Sequence, residues 1–283
     1  MFWSKKKQNQ KLFADVASEQ QSMMGSNLNF AASEAYKLLR TNLTFSFTDD
    51  EEQKIIGITS SVKGEGKSIT AINLAYTIAE AGKKVLLMEC DMRLPTIAKR
   101  LSLKSNKGLS NLLVGMNSAN EVIQEGVLSK TMDVIPAGDI PPNALELLAS
   151  NRMEYTLEYL SEYYDYILLD LPPVTAVADA LVASKLVSGM IVVVRQDYVG
   201  RAALSETMRQ LKYANAKVLG FVFNSVDDST LPYNKKYYRK GYYKGKYGYN
   251  YGYQYGYGHQ QVEKAQEKVV EAQLEIWERE TNG

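Results

Sequence analysis

The residues best suited to chemistry lie in SSVKGEGKS, Ser60 to Ser68. Gly64 and Gly66 allow a tight loop that a Cβ would hinder. Lys67-Ser68 then opens a stretch with apolar residues at Ile72, Ala75, Tyr76 and Ala79, a helical spacing. Before the loop, Ile55, Ile56 and Ile58 are β-branched and predict a buried strand. Strand, glycine loop, Lys-Ser and helix in that order make a phosphate cradle. Backbone N–H groups face the anion, Lys67 reaches the β/γ-phosphates and the Ser68 hydroxyl can ligate Mg²⁺. Lys63, Gly64, Glu65, Gly66, Lys67, Ser68 and Ile69 are therefore the expected contacts of a nucleoside triphosphate. The loop departs from the general pattern in opening with Ser61 where Gly is usual.

Acidic residues complete this chemistry. KVLLME (84–89) predicts a buried strand running into Glu89-Cys90-Asp91-Met92-Arg93, and YILL (166–169) predicts another ending at Asp170. Carboxylates at the C-terminal ends of strands face the ligand crevice of a doubly wound sheet, where Mg²⁺ can compensate their charge. Asp170 is placed to hold the Mg²⁺ shell through water. A further strand, 218–223, leads to Asn224, whose amide can read a nucleotide base. Other chemistries are excluded by composition. Cys90 is the only cysteine and His259 the only histidine, so no internal disulfide, His-built metal site or Ser-His triad is available.

Alternating strands and helices over residues 54–224 predict an α/β fold, a doubly wound, mostly parallel sheet covered on both faces. Within it, 99–129 reads as mostly helical, 133–136 as a short strand, 144–160 as one helix, 190–194 as a strand and 201–213 as a helix. Upstream, SEAYKLLRTNLTF predicts a helix capped by Ser33, with Ala35, Leu38, Leu39 and Leu43 as its apolar stripe. Glu34, Lys37 and Arg40 share one face, suited either to salt bridges with another subunit or to plain solvation. Residues 49–52 read as an acidic turn.

The chain has 283 residues, 45% apolar and 23% charged, with a net charge of +1, which argues against a dedicated nucleic-acid binder. No run has the length and apolarity of a membrane helix, and the start MFWSKKKQNQ lacks a signal-peptide core. Residues 1–30 read as a basic arm, with Phe2 and Trp3 able to touch a membrane surface. Tyrosine is the anomaly, at 20 residues against seven Phe. Eleven of them, with six Lys/Arg and no acid, fall in 229–258: Tyr233, Tyr237, Tyr238, Tyr242, Tyr243, Tyr247, Tyr249, Tyr251, Tyr253, Tyr255 and Tyr257. That stretch reads as disordered. It can be a sticky linker, a stacking surface for nucleic acid, or a set of phosphoacceptors. Beyond it, residues 259–283 read as an acidic amphipathic helix, with an apolar seam of Val262, Ala265, Val269, Ala272 and Ile276 beside Glu263, Glu267, Glu271 and Glu275.

SSVKGEGKS (60–68), VLLMECDMR (85–93) and YILLDLPP (166–173), with EAYKLLRTN (34–42), IPAGDIPPNALELL (135–148), VVVR (192–195) and the tyrosine tail, resemble the bacterial tyrosine kinases. These are P-loop enzymes governing capsule and exopolysaccharide synthesis. The resemblance spans 31–258, giving a kinase domain over 31–228 and a phosphoacceptor tail over 229–258. Departures are Glu89 where the family has Asp, Lys63 where it has Pro, and Lys37 where it has Arg.

The resemblance implies transfer of the ATP γ-phosphoryl group to tyrosines, with ATP and Mg²⁺ as cofactors. Lys67, Glu89, Asp91, Arg93 and Asp170 would be catalytic, and Ser68, Asp91 and Asp170 would hold the metal. Glu89 or Asp91 would take the tyrosine proton, and Arg93 would hold the acids or a phosphate. It also implies a ring, up to an octamer, joined through Glu34, Lys37 and Arg40. Further implied partners are the cytoplasmic segment of a membrane activator, a tyrosine phosphatase and polysaccharide-synthesis enzymes as substrates, without nucleic acid. The chain would then be cytoplasmic and peripheral to the membrane. Two other readings remain, a positioning ATPase that releases free phosphate and a nucleotide-gated scaffold. The positioning ATPases carry a second lysine at the place of Val62.

Overall fold

A computed structural model describes residues 25–47 and 54–226. The expected N-terminal arm before Gly25, the acidic turn, the phosphoacceptor tyrosines and the acidic C-terminal helix lie outside the described residues.

Six strands form one all-parallel sheet: β1 (Ile55–Ser60), β2 (Val85–Glu89), β3 (Met132–Ile135), β4 (Tyr166–Asp170), β5 (Gly189–Arg195) and β6 (Val218–Asn224). Their order is β3-β2-β4-β1-β5-β6. The four inner strands are apolar runs because both faces are covered. On one face Ile56, Ile58, Leu87, Leu168 and Val193 meet Ile72, Ala75 and Ile78 of α2 (Lys67–Glu80). Leu43 and Phe47, in and just beyond α1 (Phe30–Phe45), join the same cluster. On the other face Met88, Leu169, Met190 and Val192 share a cluster with the helices between residues 109 and 213.

α1 begins earlier than expected. Its cap is Asn29, whose side chain accepts from Ala32 N, and not Ser33. The packing also reaches back to Gly25, whose amide donates to Asn73 Oδ1 at 3.0 Å.

The stretch 99–129 is not mostly helical. It holds three short helices, α3 (Ile97–Arg100), α4 (Leu109–Leu113) and α5 (Ala119–Val122). Left-handed residues at Ser102, Gly115, Gly126 and Leu128 end or separate them. The single helix expected over 144–160 is also two, α6 (Ala144–Leu148) and α7 (Asn151–Ser161). Ser150 breaks the run by capping α7, accepting from Met153 N. A short α8 (Asp179–Ala183) follows β4 unforeseen, while α9 (Arg201–Tyr213) has the expected bounds.

Candidate active site

The site forms at the C-terminal ends of β1, β2 and β4. The turn between β1 and α2 needs its glycines: Gly64 has φ +92° and Gly66 φ +93°, a left-handed region costly for L side chains. Gly66 also faces Asn224 so closely that a Cβ there would overlap Asn224 Nδ2. The Asn224 amide donates to the Glu65 carbonyl at 2.8 Å, so the residue expected to read a base holds the loop in this structure.

Glu65 points inward, fully buried. Its carboxylate accepts from Val62 N at 2.8 Å and from Arg195 N at 3.3 Å, bracing the loop from within against the end of β5. Ser61 is buried too, and its carbonyl accepts both the Thr175 hydroxyl at 2.6 Å and the Thr175 amide. Thr59 donates to the Pro172 carbonyl at 2.7 Å. The loop is thus stitched to the segment after β4. That gives the unusual Ser61 a place, since its backbone and not its side chain is used. Lys63 is exposed, and its carbonyl accepts from the Tyr198 hydroxyl at 3.1 Å. Ile69 lies in the first turn of α2.

Lys67, Ser68, Asp91 and Asp170 are brought together. Lys67 Nζ lies 2.9 Å from Asp91 Oδ2, 3.4 Å from Asp170 Oδ1 and 3.5 Å from Ser68 Oγ. Burial disfavours the Lys67 charge, but Asp170 and Asp91 outweigh it and hold the ammonium above its ordinary pKa. Burial pushes Asp170 up against the pull of Lys67. Asp170 Oδ2 is buried with no hydrogen-bond partner among the described residues. An orphaned carboxylate oxygen beside a serine hydroxyl and a second carboxylate is an all-oxygen donor set, which fits Mg²⁺.

Glu89 is set apart from this group. It is fully buried and accepts from the backbone amides of Thr96, of Ile97 at 2.6 Å and of Ala137 at 3.2 Å. Burial raises its pKa, and these amides oppose the rise. Its visible work is to tie α3 and the segment after β3 to the end of β2. Arg93 pairs two-pronged with Asp179, Nε to Oδ2 at 2.9 Å and Nη2 to Oδ1 at 3.0 Å. Asp179, wholly buried, is a residue that sequence reasoning missed, along with Arg195 and Tyr198 as loop supports. Glu34 pairs with Lys37 within α1 at 2.7 Å, and Arg40 donates to the Thr77 carbonyl of α2.

A phosphate loop whose lysine rests on carboxylates from two other strands defines a P-loop nucleotide-binding protein. The AAA domain family matches residues 53–219. The chain is 36% identical over 192 residues to the tyrosine-protein kinase YwqD of Bacillus subtilis, covering 68% of this chain and 80% of that one. The solved kinase domain of the Escherichia coli tyrosine kinase ETK superposes with a TM-score of 0.69 at 31% identity, over 82% of this chain and 84% of that one. The septum site-determining protein MinD of Pyrococcus horikoshii, complexed with Mg-ADP, gives 0.51 at 26% identity over 60% and 70%. This chain belongs to the bacterial tyrosine-protein kinases.

Proposed function

We propose that this kinase uses ATP with Mg²⁺ and phosphorylates the tyrosine cluster of residues 229–258 in a neighbouring copy. The observation that carries the reading is the convergence of Lys67, Asp91 and Asp170 at the start of α2. The tyrosine oxygen bonds to the γ-phosphorus, the bond to the bridging oxygen breaks, and ADP leaves. Lys67 and the loop amides stabilise the charge spread over the phosphates. Ser68, Asp91 and Asp170 would hold Mg²⁺, which neutralises phosphate charge when bound. Asp91 takes the phenolic proton. Glu89 is a positioning residue in this scheme, because both its oxygens already accept backbone amides. Arg93, held by Asp179, would act on the acids or on a phosphate. Asn224 contacts the nucleotide from its post on the loop.

The basic, glycine-spaced tail supports this substrate, because it can thread one hydroxyl after another into a site. Glu34, Lys37 and Arg40 would join copies into a ring, and a cytoplasmic segment of a membrane activator would complete the site. Among the described residues no helix is long and apolar enough to cross a membrane. Polysaccharide-synthesis enzymes would be further substrates, a phosphatase would hydrolyse the phosphotyrosines back to tyrosine and free phosphate, and the output would be control of capsule or exopolysaccharide synthesis. The test is incubation with Mg-ATP, with and without the activator segment, followed by phosphotyrosine detection and free-phosphate assay. Phosphotyrosine in the tail supports the reading. Free phosphate without phosphotyrosine in either arm overturns it.

A further inference from the structure

Five described tyrosines are more than half or about half exposed: Tyr155, Tyr159, Tyr163, Tyr198 and Tyr213. Tyr155 and Tyr159 lie within α7, Tyr213 ends α9, and Tyr163 stacks on Tyr159 just past the end of α7. Tyr198 differs from all four. It stands in the turn between β5 and α9, after Asp197 in a left-handed conformation (φ +54°), and is 52% exposed. A turn can be drawn into a second molecule's cleft without unwinding a helix.

Its hydroxyl is already in use. Tyr198 Oη donates to the Lys63 carbonyl at 3.1 Å, and a Cβ on Gly64 would lie 2.7 Å from it. Arg195 stacks on the ring, with Cζ 5.0 Å from its centroid, and donates from Nη1 to the Gly64 carbonyl at 3.3 Å. The Arg195 amide donates to Glu65, the buried brace of the same loop. Tyr198 and Arg195 therefore clamp the first half of the phosphate loop from outside, and one exposed phenol closes the clamp.

We propose that Tyr198 is a phosphorylation site of this kinase, and that its modification opens the clamp and weakens nucleotide binding. The inference rests on the tyrosine-kinase reading above. A second copy performs the step: the Tyr198 oxygen bonds to the γ-phosphorus of its ATP, the bond to the bridging oxygen breaks, ADP leaves, and the phenolic proton passes to that copy's Asp91. The product has no hydroxyl hydrogen to give to Lys63. It also carries about −1.5 to −2 of charge beside a backbone carbonyl and next to the triphosphate site. The phosphate leaves the loop for Arg195 or solvent, and the loop loses its outer support. The clamp is thus a brake set by the enzyme's own product.

The experiment treats full-length protein and Tyr198→Phe with Mg-ATP, maps phosphotyrosines by mass spectrometry, and measures fluorescent ADP affinity before and after. Untreated Tyr198→Glu provides a measurement that needs no catalysis. Phosphate is expected on Tyr198 at a rate rising with protein concentration, with about a tenfold loss of affinity after treatment in the native protein but not in Tyr198→Phe. Tyr198→Glu should bind ADP about tenfold more weakly than Tyr198→Phe. Tail tyrosines phosphorylated with Tyr198 bare would overturn this inference and leave the kinase reading standing. Equal affinities for the Glu and Phe variants would overturn the brake. Absence of all phosphotyrosine, with the activator segment present, would overturn both.

Discussion

Lys67 and Asp91 meet at 2.9 Å although the strands that lead into them, β1 and β2, are not neighbours in the sheet, since β4 lies between them. The contact spans the end of β4, where Asp170 offers a second carboxylate at 3.4 Å. A cation is thereby stationed over two acids at the C-terminal edge of the sheet, beside the glycine loop.

Lys67→Met should lower tyrosine phosphorylation by at least about 100-fold, the scale of removing one preorganised donor or cation. Circular dichroism should show the fold retained. Persistent phosphotyrosine in the purified variant would remove Lys67 from the catalytic group.

The two acids of β2 should separate by readout. Asp91→Asn should lose metal-dependent nucleotide affinity and transfer together, as measured by calorimetry and phosphotyrosine assay. Glu89→Gln should show itself first in stability, by about 1–3 kcal/mol, because an amide NH₂ faces a backbone N–H that needs an acceptor. Unchanged Mg-ATP affinity in Asp91→Asn would reverse the two roles.

Gly66→Ala should weaken nucleotide binding and lower the melting temperature. The added methyl meets Asn224 Nδ2, and the left-handed backbone adds strain of about 1–3 kcal/mol. Pairing it with Asn224→Ala removes the overlap and leaves the backbone strain, so partial recovery is expected in thermal melts.

Glu34→Ala and Arg40→Ala should not be equivalent. Arg40 anchors α1 to the Thr77 carbonyl, so its loss costs about 1 kcal/mol of stability besides any effect on assembly. Among the described residues Glu34 pairs with Lys37 along its own helix at an exposed position, so Glu34→Ala should act on assembly alone. Sedimentation showing the oligomer unchanged in the double variant would refute the ring contact.

Tyr76 predicts a term in alkaline stability. Its phenol is buried and donates to Glu80 at 2.7 Å, and burial first, the glutamate second, push its pKa up to about 12. The unfolded value is about 10, so the folded state favours the neutral phenol. That contribution is whole below pH 10 and is lost as pH rises toward 12. Urea midpoints at pH 9 and 11.5 should differ less in Tyr76→Phe than in the native protein.

Strands were easy to read because a parallel sheet covered on both faces writes itself as unbroken apolar runs, such as Ile167 to Leu169. The convergence of Lys67, Asp91 and Asp170 was legible, Lys67 through the glycine loop before it and the two acids through their place at or just past strand ends. Glu89 was not, because what occupies it is backbone from residues 96, 97 and 137, and no local pattern marks a distant amide. The same contact explains the misread stretch after it. α3 begins where Glu89 receives it, not where its own residues would start a longer helix. Ser150 did carry a cap signal, overridden by the apolar residues on either side. Asp179 carried none, since only the fold shows the guanidinium above it.

The sheet order has a consequence for synthesis. Thr59 is joined to Pro172, 113 residues away in sequence, and β1 pairs with β4 and β5 but not with β2. The strand that carries the phosphate loop therefore leaves the ribosome before either of its neighbours exists. At about 5–20 residues per second the wait is on the order of 10 s. During it, Ile56 and Ile58 have no sheet to enter and the loop has no floor. The brace inside the loop is complete only once β5 has been made and the Arg195 amide can reach Glu65.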